Sequence, residues 1–453
     1  MKHISVRLTP DWTGDRIAQL RVELALDWQV RSGEELFGIY EKVIFKPFTN
    51  LAEDFALCDD AGKLEYSCEN KQDGYLYSRM FKPARDTQGK IRVSYALALE
   101  ETGVNPCFDL GHEKGGMTGS GMTFMPWFAE GEYTYRLEWD LSALPEGCIG
   151  VWSFGEGTAT QKGGGDMLVQ TFYAAGRLDC VREGNFGYYW FDNDFFLEAA
   201  VPTARIFRYE SELFADEGER YTIITRRTNQ GEVRPGGTAL KRSYMCVYQP
   251  GARLTTTWIK FLFAHEMVHN WISLNDTPFG TCTWYVEGMA EFYSAVVPWR
   301  MGIVTKEELL AELNKRAAQF YENPYIHTPN EVLGRNLMSN KEMTRVPYGR
   351  GFFYLTHADA EIRKATQGEK CLDDVMQEIR AMFKRDPQLQ NDAWLCAYGK
   401  IVGREQSEAE LANLQNGGEI IPQAECFGGE IQACETCGIQ RESGAACRMW
   451  RFE

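Results

Sequence analysis

The sequence predicts a multidomain α+β protein: an N-terminal β-sandwich followed by a mainly helical domain. Three observations lead there. Up to about residue 202, apolar and polar residues alternate in short runs such as DRIAQLRVELALDW, KIRVSYALALE and EYTYRLEWDL, the period of strands with one buried face. Gly-rich clusters such as EKGGMTGSG and QKGGGD separate those runs, as turns do. After Arg253 the text turns into longer segments largely free of Gly and Pro, which read as helices. The domains implied are a sandwich at 1–202, a helical domain at 203–410 and a Cys-rich extension at 411–453.

Between 203 and 251 the segments ARIFRYE and LKRSYMCVYQ read as strands. TTTWIKFLFAHEMVHNWI then has a Thr-rich start suited to capping and a run without helix breakers. SLNDTPFGTCT, with Pro278 and Gly280, is a loop, and WYVEGMAEFYSAVV is a second helix that Pro298 is expected to stop. KEELLAELNKRAAQFY, YGRGFFYLTHADAEIRKAT and LDDVMQEIRAMFK are further helices, and the last forty residues show only weak periodicity.

Composition narrows the function classes. Lys and Arg number 48 against 64 Asp and Glu, a formal charge of -16 that disfavours nucleic acid and anionic membranes as partners. No apolar run approaches the roughly 18 residues of a membrane span, and the start lacks the basic and apolar regions of a signal peptide, so a cytoplasmic location is expected. Nine of the 13 cysteines are scattered singly from Cys58 to Cys396, as buried reduced thiols are. There is no G-x-S-x-G, P-loop or dinucleotide fingerprint. The sequence leaves the oligomeric state open.

Histidine is scarce, and two of the six lie four residues apart in one apolar segment. His265-Glu266-Met267-Val268-His269 is an H-E-x-x-H sequence within a predicted helix. Residues one turn apart project from the same face, so both imidazoles reach one metal ion, while Glu266 lies about 100° round the helix, placed to act as a base without ligating. Such matches also arise by chance, and a catalytic zinc needs a third protein ligand. Glu287, in the second helix and 18 residues after His269, is the candidate, with Glu291 one turn on to orient a ligating histidine.

HEMVHNW followed by WYVEGMAEFY resembles the gluzincin metallopeptidases, and within them the glycyl aminopeptidase family, with the alanyl aminopeptidase and leukotriene hydrolase family as a cousin. VPYGRGFFYLTHADAEIRKATQGEKCLDDVMQEI extends the likeness, which covers about residues 236–380. The resemblance implies a thermolysin-like catalytic domain, one catalytic Zn2+ held by His265, His269 and Glu287, Glu266 as general base, and Tyr348 as a donor to the oxyanion. It implies a peptide substrate.

Three departures accompany the likeness. Only 17 residues separate His269 from Glu287, a short connection for either relative. Where aminopeptidases of this group carry a glutamate for the free amine, the corresponding Gly236-Gly237-Thr238-Ala239-Leu240-Lys241-Arg242-Ser243 stretch aligns Lys241. A cation repels an ammonium group, so aminopeptidase specificity is doubtful, and an internal peptide bond or an acidic group near Lys241 or Arg242 is expected instead. A PDZ-like module, frequent in the glycyl aminopeptidase family, is not expected here. The alternatives to a peptidase are a metal-containing binding protein without turnover and a hydrolase of a non-peptide substrate.

Cys426, Cys434, Cys437 and Cys447 fall within 22 residues and include a C-x-x-C pair, the donor set for a second, structural zinc ion, although the outer spacings match no zinc knuckle. Free thiols and redox use are the competing readings.

Overall fold

The computed structural model describes residues 2–43, 46–47, 55–74, 76–99, 105–229, 235–336, 340–440 and 446–453, with side chains at all of these except 43, 46–47, 437–440 and 446–447. The chain divides into two compact units, Met1–Ala204 with Gly218–Leu254, and Arg205–Glu217 with Thr255–Glu453. The boundary read from the sequence, at 202/203, falls inside a helix, α1 (Asp194–Leu213).

The first unit is built from sheets. A seven-stranded sheet runs in the order Thr158–Gly163, Tyr133–Trp139, Lys2–Thr13, Arg16–Leu26, Ile91–Ala98, Ala56–Asp59, Gly62–Lys63. Its alternation is the one visible in the sequence: Ile4, Val6 and Leu8 stand opposite Leu26, Leu24 and Val22, all buried. A four-stranded sheet around Phe37–Val43 and Leu76–Pro83 and a five-stranded sheet around Gly116–Ser120 and Phe172–Gly176 share this core through Phe37, Phe81, Met117 and Tyr173. A further five-stranded sheet has the order Asp179–Glu183, Phe186–Trp190, Tyr221–Arg227, Ser243–Tyr248, Gly236–Leu240, with three parallel strands at its centre.

ARIFRYE, expected as a strand, is instead part of α1. Thr203, Ile206, Phe207, Glu210 and Phe214 are all buried and recur three or four residues apart, the helical period, which outweighs the β-favouring Ile and Phe.

Helices dominate the second unit: α2 (Thr256–Val268), α3 (Thr283–Arg300), α4 (Lys306–Tyr321), α5 (Asn330–Asn336), α6 (Lys341–Ala365), α7 (Leu372–Phe383), α8 (Asn391–Val402) and α9 (Arg404–Gln415). Thr305 and Glu308 form a capping box that starts α4 at the residue the sequence indicates. Pro298, expected to stop the second helix, lies inside it, and a further proline, Pro347, lies inside a later helix. Pro298 sits two residues before the end of α3, and Pro347 lies within α6, whose start is fixed earlier by Asn340 accepting the Glu342 and Met343 N–H groups. The core between α3, α6 and α8 is aromatic: Trp284, Tyr354 and Trp394 meet edge to face, with the Trp394 indole donating to the Tyr354 hydroxyl. The tail forms a hairpin, Ala433–Gln440 with Ala446–Phe452. Among the described residues no helix is long and apolar enough to cross a membrane.

Candidate metal centre

α2 is fixed at its start by Thr255, which accepts the Trp258 N–H at 3.1 Å, and along its length by buried Ile259, Phe261, Phe263 and Met267. His265 lies in its last turn, and His269 is the residue that ends it. The connection to α3 is pinned by Asp276, whose carboxylate accepts from the Cys282 N–H (2.5 Å) and the Thr283 hydroxyl (2.6 Å). This ties the 270–282 segment to the start of α3, which packs against both α2 and α6 and brings Glu287 to the histidines.

The three donors converge. His265 Nε2 lies 3.2 Å from His269 Nε2 and 3.4 Å from Glu287 Oε2, and His269 Nε2 lies 3.6 Å from that same oxygen. A triangle with these edges has all its corners about 2.0 Å from one centre, the length of zinc bonds to imidazole nitrogen and carboxylate oxygen. Glu287 Oε2 is buried and accepts no hydrogen bond among the described residues, so it is an anion-bearing atom in need of a cation. These three residues are the one group of His, Cys, Asp and Glu with metal-ligand spacing among the described residues. The donor set and its geometry fit a zinc ion.

The electrostatics favour positive charge at the same point. Burial opposes charge on His265, yet Glu287, Glu291 and Glu266 around it outweigh that and push its pKa up to about 9. At His269 burial dominates and pushes the value down to about 4. Burial would raise the Glu287 carboxyl, but the two imidazoles and the Tyr348 hydroxyl together hold it below the usual range. A cation gripped by these groups competes with the proton they otherwise share.

Glu291, also on α3, places Oε1 3.5 Å from His265 Nδ1, at the outer edge of hydrogen-bond reach. Tyr348 comes from α6, its ring lying parallel to that of His265 (8°) at 6.0 Å between centroids. Burial and the facing carboxylates of Glu287, Glu266 and Glu291 raise its pKa well above the ordinary phenol value, so the hydroxyl stays protonated and able to donate. Arg345 sits one turn before it, its guanidinium 5.8 Å from the ring centroid.

Sequence reasoning missed Arg316 of α4, which forms an ion pair with the Glu291 carboxylate at 2.8 Å. Its pairing with Glu312 four residues earlier looks, in the sequence alone, like a solvated helix-face pair.

The residues read as substrate contacts belong to the first unit. Gly236 and Gly237 lie in the strand Gly236–Leu240, and Lys241 and Arg242 make the turn into Ser243–Tyr248, with Arg242 at φ 52°. Lys241 Nζ is 3.6 Å from Asp166, whereas the mostly buried Arg242 guanidinium donates to the backbone carbonyls of Arg220 and Glu219. At the tail, Cys426 is buried and Cys434 lies in the hairpin opposite Arg451, while the side chains of Cys437 and Cys447 lie outside the described residues.

No family model and no curated protein matches the sequence. Solved structures do match. An aminopeptidase N family protein from Idiomarina loihiensis superposes with a TM-score of 0.71 at 13% identity, over 98% of this chain and 81% of that one. The M1 zinc metallopeptidase from Deinococcus radiodurans gives 0.53 at 16% identity, over 93% and 94%. A mutant of that enzyme solved with a Tyr-Ser-Ala substrate gives 0.52, again at 16% identity, over 93% and 95%. The chain has the M1 aminopeptidase-like multidomain fold. At these identities the likeness carries the M1 fold and not the chemistry, for which the convergence of His265, His269 and Glu287 is the independent observation.

Proposed function

We propose that this protein is a zinc-dependent peptidase of the gluzincin type, resembling the glycyl aminopeptidase family. The observation that carries this reading is the triangle of His265 Nε2, His269 Nε2 and Glu287 Oε2, sized for a single zinc ion. The M1-like fold supports it, since one such neighbour is described as bound to a peptide substrate. In this reading the strands up to about residue 202 form the sandwich, and residues 203–410, with the strands at Tyr221–Arg227, Gly236–Leu240 and Ser243–Tyr248, belong to a thermolysin-like catalytic domain.

Zinc held by these three side chains would supply Lewis acidity toward a peptide carbonyl and toward water. Glu266 takes the proton of the attacking water and returns it to the departing amine, a role that fits a carboxylate adjacent in the helix to a ligand but facing another way. Tyr348, held protonated, donates to the negative charge that develops on the carbonyl oxygen. Glu291, whose Oε1 lies 3.5 Å from His265 Nδ1, is placed to accept its proton and so direct Nε2 to the metal.

We read the specificity as directed away from free N-termini, because the stretch from Gly236 to Ser243 contains no carboxylate to pair with an ammonium group. The experiment that tests the whole reading is metal analysis beside activity. Native protein should hold one zinc per chain, His265→Ala and Glu287→Ala should lose it, and Glu266→Gln should keep it while hydrolysing no peptide. A Glu266→Gln protein that hydrolyses peptides as well as the parent, or a parent without stoichiometric metal, would refute it. A panel of peptides with free and acetylated N-termini tests the specificity, and selective release of free N-terminal residues would overturn that part alone.

A further inference from the structure

We propose that Arg316 is a positioning residue for the metal centre, holding Glu291 so that its carboxylate faces His265 and locking the helices that carry the site to one another. The inference rests on the zinc reading above.

Arg316 sits on α4, a helix that supplies none of the site residues named so far, and its side chain is only 9% exposed. Every arm of its guanidinium is engaged. Nη1 donates to the main-chain carbonyl of Glu291 at 2.6 Å and reaches Oε2 of the same residue at 2.8 Å. With Oε2 held in this way, the other oxygen, Oε1, is the one turned to His265 Nδ1. Nη2 donates to the Ser294 hydroxyl at 3.1 Å, and Nε donates to Glu312 Oε1 at 3.0 Å. Burial alone would raise the Glu312 carboxyl, but the Arg316 and Lys315 charges hold it below the usual range, so it remains an anion for Arg316. The guanidinium carbon lies over two rings, 5.3 Å from the centroid of Phe352 and 5.8 Å from that of Phe261.

The positions of these partners decide the role. Phe261 is one turn before His265 on α2, Glu291 is one turn after Glu287 on α3, and Phe352 is one turn after Tyr348 on α6. A single planar group therefore touches the neighbouring turn of a first ligand, a third ligand and the phenol donor. A planar fork can satisfy this set together, and a lysine ammonium cannot, because it lacks the fixed five-donor geometry and the flat faces. Arg316 also lines the cleft beside Tyr348 and Gln319, so direct contact with substrate is the competing role, and that role would act on KM.

The test compares Arg316→Lys, Glu291→Gln and the double variant by chelator competition for zinc, by the visible absorption of the cobalt-substituted protein, and by kcat and KM on one peptide. Each single variant should bind zinc about 10- to 100-fold more weakly, the size of effect seen when a partner of a ligating histidine is removed. The double variant should be no weaker than the worse single one, the cobalt bands should shift in Arg316→Lys, and kcat should fall with KM unchanged. Wild-type zinc affinity and cobalt bands in Arg316→Lys, independent losses that multiply in the double variant, or a change confined to KM would each overturn the proposal. Should Arg316→Lys fail to fold, Glu291→Gln decides alone, because parental zinc affinity in that variant breaks the link to His265. A parent that binds no zinc removes the functional reading and this inference together, whereas a zinc-binding parent with an indifferent Arg316→Lys removes only the inference.

Discussion

Gly288 and Gly351 touch where α3 crosses α6: a Cβ added to Gly288 would lie 2.6 Å from the Gly351 Cα, and one added to Gly351 would run into the Trp284 carbonyl. Glu287 and Tyr348 flank this crossing, so the spacing of the two helices sets the distance between the third ligand and the phenol donor.

Replacing Gly351 with alanine forces the helices apart at backbone contact, where no flexible side chain can yield. The variant should lose about 1–3 kcal/mol of stability, the usual size of an overpacking cost. Urea unfolding measures it, and kcat should fall in the same protein because Tyr348 moves away from Glu287. A Gly351→Ala protein with the parent's midpoint and kcat would show that the crossing tolerates expansion.

Tyr348→Phe removes the hydroxyl and keeps the ring against His265. If the phenol donates to the oxyanion, kcat should drop about 10²–10³-fold, as for loss of one such donor, with zinc content and KM near those of the parent. Zinc loss in this variant would instead assign the tyrosine to holding the site together.

Glu210, on α1, is fully buried with neither carboxyl oxygen hydrogen-bonded among the described residues, and burial raises its pKa well above the ordinary 4.5. A raised carboxyl means the folded protein binds a proton that the unfolded chain releases above pH 4.5, so stability falls as pH climbs from there toward the folded value. Glu210→Gln removes that dependence. Its stability relative to the parent should grow between pH 4.5 and pH 8 in urea titrations; parallel profiles would show that the carboxyl is solvated.

Asp59 behaves in the opposite sense. Its side chain receives Arg85 at 2.6 and 2.8 Å and the Gln88 and Ala61 N–H groups at 2.8 and 2.9 Å, and the Arg85 hydrogen bonds together with these hold its pKa well below the ordinary 3.8 despite burial. The unfolded chain binds the proton first, so this stabilisation is fully present above pH 3.8 and is lost as pH falls through the folded value. Asp59→Asn should be less stable than the parent at pH 7, with the gap narrowing in acid. A gap constant from pH 7 to pH 2 would contradict the pairing.

How much of this was legible in the sequence depended on whether the information was local. The meeting of His265 with His269 follows from one helical turn, and α4 from its capping box and apolar period, so both can be read without a fold. Glu287 needed a second helix to return alongside the first, which the loop with Pro278 and Gly280 made readable although the Asp276 hydrogen bonds that pin it were not. Arg316 was invisible because its i,i+4 partner Glu312 gives a surface pattern, and only the packing of four helices buries it. The α1 misreading came from weighing residue type above spacing. At Lys241 the sequence showed a charge but not Asp166, its partner from a distant turn.

The placement of the two histidines has a mechanical consequence for α2. One lies inside the final coil of the helix and the other is the residue that ends it, so an ion gripping both would act as a clasp across the end most prone to fray. Its positive charge would also sit at the pole of the helix dipole that favours it. Stripping zinc with a chelator should therefore quicken amide exchange at 266–272 before the rest of the unit responds, making the candidate metal centre its own gauge of metal supply.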